Sequence, residues 1–173
     1  MKISKRNRFI FFIITLTIAV DQLSKVLVRH YVGARTETRL GEQIPLLGDY
    51  FTLMNVENKG AFLGMGSDLS EPMRIALLLI LPILVLGFVL RYILKDKKLN
   101  YWSLFAFASI IGGGIANVFD RFVYGSVTDF FYIKITDTLR TGIFNMADLS
   151  VTTGMIILLI MSFKKDQKTS EEA

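Results

Sequence analysis

The sequence predicts an all-α membrane bundle of four transmembrane helices carrying a small extracytoplasmic β-sheet. Three observations lead there. Of the 173 residues, 52% are hydrophobic and mean hydropathy is +0.47, more apolar than a soluble domain of this size. Four stretches approach the roughly 20 apolar residues that a helix needs to cross a bilayer core. The Lys and Arg residues cluster beside those stretches instead of spreading along the chain. A single domain, residues 1–163, is expected, followed by a polar, disordered cytoplasmic tail at 164–173.

The first span runs from about Phe9 into the segment around Val28. Lys2, Lys5, Arg6 and Arg8 ahead of an apolar run also describe a secretory signal peptide. Asp21, Gln22 and Lys25 follow where a small-x-small cleavage site would be needed, so a permanent helix is expected. The second span covers Ile75 to Leu90 and continues to about Leu94, with Pro82 and Gly87 inside it, which membrane helices tolerate. The third is Tyr101 to Phe119. The fourth begins near Asn145 and ends at Phe163, with Asp148 near its start.

Eleven of the 20 basic residues lie in three short segments: the N-terminus, the loop with Arg91, Lys95, Lys97 and Lys98, and the C-terminus with Lys164, Lys165 and Lys168. Alternating helices put all three on one side, and by the positive-inside rule that side is the cytoplasm. Both termini are therefore expected in the cytoplasm. The segments Arg29 to Arg74 and Asp120 to Phe144 face outward. Tyr50 to Val56 and Val127 to Ile135 are rich in β-branched and aromatic residues, and they predict the strands of a sheet at the outer membrane surface.

Composition excludes several chemistries. The charge of +5 is accounted for by topology, so no nucleic-acid partner is expected. With no cysteine and one histidine, His30, there is neither a thiol nucleophile nor a usual set of zinc ligands. No metal and no cofactor is expected, and hydrolysis would fall to Ser, Thr, Lys or carboxylates. Ser24 and Lys25 are adjacent on a helix and point about 100° apart, which disfavours a Ser/Lys pair.

The aspartates converge instead. Asp21 lies 12 residues past Phe9, about 18 Å along a helix, near the outer end of the first span. Asp120 follows the third span, Asp129 lies in the outer segment, and Asp148 opens the fourth span. An acid at membrane depth is costly and by default points to function. Bland alternatives stand beside that reading: Asp21 can pair with Lys25 at i+4, Asp120 with Arg121 and Asn117 can clamp a helix end, and Asp148 with Asn145 can cap a helix. Two neighbouring carboxylates share a proton, so one can deprotonate water while the other protonates a carbonyl oxygen. The same acids could serve a small proton-coupled carrier as a relay, although the second and third spans hold none. Gly112-Gly113-Gly114 and Ala116 read as close helix packing.

Four blocks resemble the lipoprotein signal peptidases, signal peptidase II, across nearly the whole chain. They are Asp21-Gln22-Leu23-Ser24-Lys25; Asn58-Lys59-Gly60-Ala61-Phe62 with Gly64; Gly113 to Arg121 leading to Val127-Thr128-Asp129-Phe130; and Phe144-Asn145-Met146-Ala147-Asp148-Leu149-Ser150. The resemblance implies that Asp129 and Asp148 are the catalytic pair of an aspartic-type peptidase. It implies that Asn58, Gly60, Asn117, Asp120, Arg121 and Asn145 line or support the site, and that Asp21 and Lys25 form a structural polar cluster. The implied substrate is a prolipoprotein already carrying a diacylglyceryl group, cut just before the lipidated cysteine. Membrane lipid is the other implied partner, and a monomer is expected. Ala61-Phe62 and Ala116 depart from the family's usual residues at positions that bear on substrate-edge contacts. Gly64-Met65-Gly66-Ser67-Asp68 is superficially similar to the Gly-x-Gly-Asp of another intramembrane aspartyl protease family. Its aspartate is one position late and the segment reads as a loop.

Overall fold

The computed structural model describes residues 3–36, 38, 41–61 and 65–171. Lys2, Phe62 and Gly64, named above, lie outside them. Four helices are long and apolar enough to cross a membrane: α1, Lys5–Tyr31; α2, Glu71–Lys95; α3, Tyr101–Tyr124; and α4, Met146–Glu171. Three strands complete the fold: β1, Gln43–Leu47; β2, Phe51–Asn58; and β3, Val127–Ile133.

Each helix begins or ends for a local reason. Ser4 caps α1, its side chain accepting from the Asn7 amide at 3.1 Å, and Asn100 caps α3 through Ser103 at 2.8 Å. Inside α2, Ala76–Ile80 is a π-helical turn that ends two residues before Pro82. Proline has no N–H to give the ladder, and the wider turn absorbs the missing bond.

Helix α3 continues through Asp120 and Arg121 to Tyr124, and Gly125, at φ 74°, ends it in the left-handed conformation. The expected end at Phe119 is thus too early. A charge ends an apolar run without ending a helix when a partner neutralises it, and Asp120 has Lys25. Helix α4 likewise runs past Phe163 to Glu171, so the tail is helical through that residue instead of disordered. No Gly or Pro interrupts residues 155–171, and the segment consists largely of residues compatible with helix.

The three-stranded sheet is antiparallel in the order β1-β2-β3. The two expected strands are there, ending at Asn58 and Ile133. Strand β1 was not foreseen, and it contains Pro45, which has no N–H to donate. Its place at the sheet edge tolerates the missing donor, and the register shifts between Pro45 and Leu47.

The bundle packs around α3, whose glycines let three neighbours approach. A Cβ at Gly112 would stand 2.7 Å from Thr17 of α1, one at Gly113 2.5 Å from the Ala147 carbonyl of α4, and one at Gly114 2.7 Å from Leu86 of α2. The apolar core joins Ile10, Ile14, Ile93, Leu104 and Ile111. Phe12, Leu84, Phe88, Phe122 and Leu159 point outward, as expected of surfaces that face lipid. At one end of the bundle Arg6 of α1 donates to the carbonyls of Ile93 and Asp96. At the other, Ala147 of α4 donates to Asp21 of α1 and the sheet covers the helix ends.

Candidate active site

The end of the bundle beneath the sheet concentrates buried polar groups, with Asp21, Lys25, Asp120, Thr128, Asp129 and Asn145 all less than a tenth exposed. They form two linked clusters.

The first is centred on Lys25. Its ammonium lies 2.7 Å from Asp21 Oδ2 and 2.7 Å from Asp120 Oδ2, and donates to Asn117 Oδ1 at 2.9 Å. The ammonium thus sits among two carboxylates and an amide oxygen from α1 and α3. Gln22 donates to Asp120 Oδ1 at 3.0 Å and Arg29 lies 3.5 Å from the same oxygen. Asp21 Oδ1 accepts the Ala147 amide at 2.8 Å, tying the cluster to α4. Removing one member would leave buried charge uncompensated, at a cost of about 3–5 kcal/mol. Ser24 donates to the Asp21 carbonyl at 2.7 Å and takes no part with Lys25.

The second cluster holds Asp129 and Asp148. In β2 and β3, Val56 faces Asp129 and Asn58 faces Val127. Period-two alternation therefore sets Asn58 diagonally beside Asp129 on one face of the sheet. Asn58 Nδ2 donates to Asp129 Oδ2 at 3.0 Å, and Asn145 Nδ2 donates to Asp129 Oδ1 at 2.7 Å. Asp148 Oδ1 accepts from Asn117 Nδ2 at 2.9 Å and Asp148 Oδ2 from the Asn145 amide at 3.2 Å. Each of the four carboxyl oxygens thus holds one amide donor, and Asn145 supplies one to each acid. The Asp148 amide returns a bond to Asn145 Oδ1 at 2.9 Å, a reciprocal cap at the start of α4. The capping alternative for Asp148 is realised alongside its place in the cluster.

Both acids line one cavity of about 250 Å³ together with Asn58, Ala61, Asn117 and Arg121, and Val127, Ile143, Phe144 and Leu149 give it apolar surface. Burial pushes the Asp129 carboxyl up to about 7, against the donors Asn58 and Asn145 and with the Asp148 charge adding to the rise. Arg121 Nη2 donates to the Gly60 carbonyl at 2.8 Å and Nη1 to the Asn117 carbonyl at 3.3 Å, pinning the loop to α3. Within that loop Asn58 is fixed by the Gly60 amide at 2.9 Å and the Ala61 carbonyl at 3.1 Å.

Of the residues singled out from sequence, Asn58, Asn117, Arg121, Asp129 and Asp148 line the cavity, and Gly60 and Asn145 support them. Asp120 does not line it. It is fully buried with Asp21 and Lys25, and Lys25 and Asn117 link it to the cavity. Ala116 is fully buried, its carbonyl accepting from Gln22 at 3.3 Å. Asp68 follows the turn at Gly66, φ 79°, in an exposed loop. The wall formed by Thr141 to Phe144 was missed. It is held by main-chain bonds from Phe130 and Phe131 to the Phe144 carbonyl, and such pairing leaves no periodic trace in sequence. Gln22, which donates to Asp120, lies beside Asp21 in the first of the four sequence blocks, and that adjacency is its signal in sequence.

Residues 13–164 match the family model described as Signal peptidase (SPase) II. Proteins called lipoprotein signal peptidase are 38% identical in Borrelia duttonii, over 95% of this chain and 97% of that protein, and 31% identical in Streptococcus pyogenes, over 94% and 97%. A bacterial membrane enzyme solved by the in meso method superposes with a TM-score of 0.76 at 25% identity, covering 92% of this chain and 90% of its own. None of these relatives is a carrier, and the proton-relay alternative finds no support in them. The chain belongs to the signal peptidase II family.

Proposed function

We propose that this chain is an inner-membrane aspartic endopeptidase that removes signal peptides from prolipoproteins, with Asp129 and Asp148 as its catalytic pair. The observation that carries the reading is the placement of two buried carboxyl groups on one cavity, each oxygen held by an amide donor and Asn145 bonded to both acids. A water between them can lose a proton to one carboxylate as its oxygen attacks the scissile carbonyl carbon. The other carboxyl, protonated, gives its proton to the carbonyl oxygen. Collapse of the resulting diol breaks the C–N bond, and the amine leaves with a proton from the pair. Asp129, held up to about 7, is suited to carry the proton at neutral pH.

The substrate is a prolipoprotein whose cysteine bears a diacylglyceryl group, cut just before that cysteine. The apolar walls at Val127, Ile143, Phe144 and Leu149 suit a chain that arrives from the lipid. The protein acts as a monomer among membrane lipids, as one peptidase domain ending near residue 163. Purified protein should cleave the diacylglyceryl-modified prolipoprotein in detergent, with full activity in metal chelator, and cleave the unmodified form far less. Equal cleavage of both forms, or loss of activity on chelation, would refute the substrate or the metal-free chemistry.

The basic clusters support cytoplasmic termini and an active site at the outer face. The chain has no cysteine, so single substitutions report sidedness directly. Ser170→Cys is expected to react with a membrane-impermeant thiol reagent only after the membrane is opened, and Asp68→Cys in intact spheroplasts. The reverse pattern would overturn the orientation.

A further inference from the structure

Lys25 is assigned above to holding helices together, yet one of its three contacts does something else. It donates to Asn117 Oδ1 at 2.9 Å, and Asn145 Nδ2 donates to the same oxygen at 3.2 Å. With its oxygen so occupied, Asn117 must turn its NH2 to Asp148 Oδ1, 2.9 Å away. The alternative rotamer would set an NH2 group against the ammonium and an oxygen against the Asp148 carboxylate. An ammonium has donors only, so it determines which way the amide faces. The same constraint passes to Asn145, which has its oxygen bound to the Asp148 amide and its NH2 free to reach Asp129.

We infer that Lys25 is a positioning residue for the reaction: its ammonium fixes the Asn117 amide, and through it the donors that Asp148 and Asp129 receive. Lys25 is fully buried and does not line the cavity, so it touches no substrate. Its two carboxylate partners, Asp21 and Asp120, hold the ammonium in place. The inference rests on Asp129 and Asp148 being the catalytic pair.

Lys25→Met alone would strand two buried carboxylates, so the test uses Lys25→Met with Asp21→Asn and Asp120→Asn, which removes the charges together. If Lys25 positions Asn117, the folded triple variant loses at least about tenfold in kcat while KM stays within about twofold. The alkaline limb of its pH profile also moves upward. Asp148 and Arg121, which also face Asp129, are kept, and of the three charges removed Lys25 is the one that acts on Asp129, where it favours the ionised form. Asn117→Ala, which leaves the Lys25 ion pairs intact, should lose kcat to a similar extent. Adding it to the triple variant should cost little more, because the two act as one unit.

A folded triple variant with wild-type kcat and an unmoved limb would overturn the inference, as would losses that multiply. If the triple variant does not accumulate, Asn117→Ala alone decides, and full activity there refutes the relay. Asp129→Asn and Asp148→Asn run in the same assay separate the two readings: if they are inactive while the triple variant is normal, only the role of Lys25 falls.

Discussion

Asp129→Asn and Asp148→Asn are each expected to lower cleavage of the diacylglyceryl-modified substrate by roughly a thousandfold, and the double variant to be little worse. Each change removes a group that must both take and give a proton, and neither acid can do the other's part. The bundle should persist. An Asn at 129 sets one NH2 against either Asn58 or Asn145, so one of the two amide contacts breaks, at a cost of about 1–3 kcal/mol. A pH profile gives a second readout. As pH rises through about 7, Asp129 loses the proton that the carbonyl oxygen needs, and kcat/KM should fall on an alkaline limb near that value. Asp68→Asn, in an exposed loop, should leave turnover unchanged. Near-normal cleavage by either dyad variant, with folding confirmed, would remove these two residues from the chemistry.

Much of this is legible in sequence because lipid imposes strict rules. Each span has to be a long apolar helix, and the basic clusters order the ends, so hydropathy and charge alone set the four aspartates in one layer. What hydropathy and charge do not resolve is how they divide, which only the resemblance of the four blocks implied. Asp21, Asp120 and Lys25 close on one another, while Asp129 and Asp148 turn to the cavity, and all four acids look alike in a hydropathy reading. The division depends on side-chain direction. Asp129 shares a sheet face with Asn58, whereas Thr128 faces the other way, where it donates to Glu57 at 2.7 Å and accepts from Arg29 at 2.7 Å.

The boundaries that sequence misplaces share a cause. The first charge suggests an end for α3, and Pro45 in the edge strand β1 has no N–H to donate. In both places a tertiary partner changes the local rule: Lys25 neutralises Asp120 within the helix, and the sheet edge asks no donor of the proline. The pairing of Phe131 with Phe144, which forms a cavity wall, joins residues 13 positions apart without any sequence signal.

The glycines of α3 carry the second large effect. Gly113→Ala is expected to lower thermal stability by several degrees and cleavage by about a hundredfold. The added Cβ would stand 2.5 Å from the Ala147 carbonyl oxygen and 2.9 Å from Val151 Cγ2. A carbonyl in the first turn of a helix cannot rotate away as a side-chain tip can, so α4 itself has to shift, and overpacking of this kind costs about 1–3 kcal/mol. The shift falls where it matters most: Ala147 donates to Asp21 and is followed directly by Asp148. A displacement near 1 Å at a reacting group costs on the order of a hundredfold in rate. Gly87→Ala is the matched control, since a Cβ there meets nothing within 4 Å, and it should match the parent protein in both assays. Thermal unfolding in detergent and prolipoprotein cleavage measure the two effects separately. If Gly113→Ala kept the parent's melting temperature and turnover, α3 and α4 could not be in backbone contact beside Asp148, and the site geometry derived from that contact would be wrong.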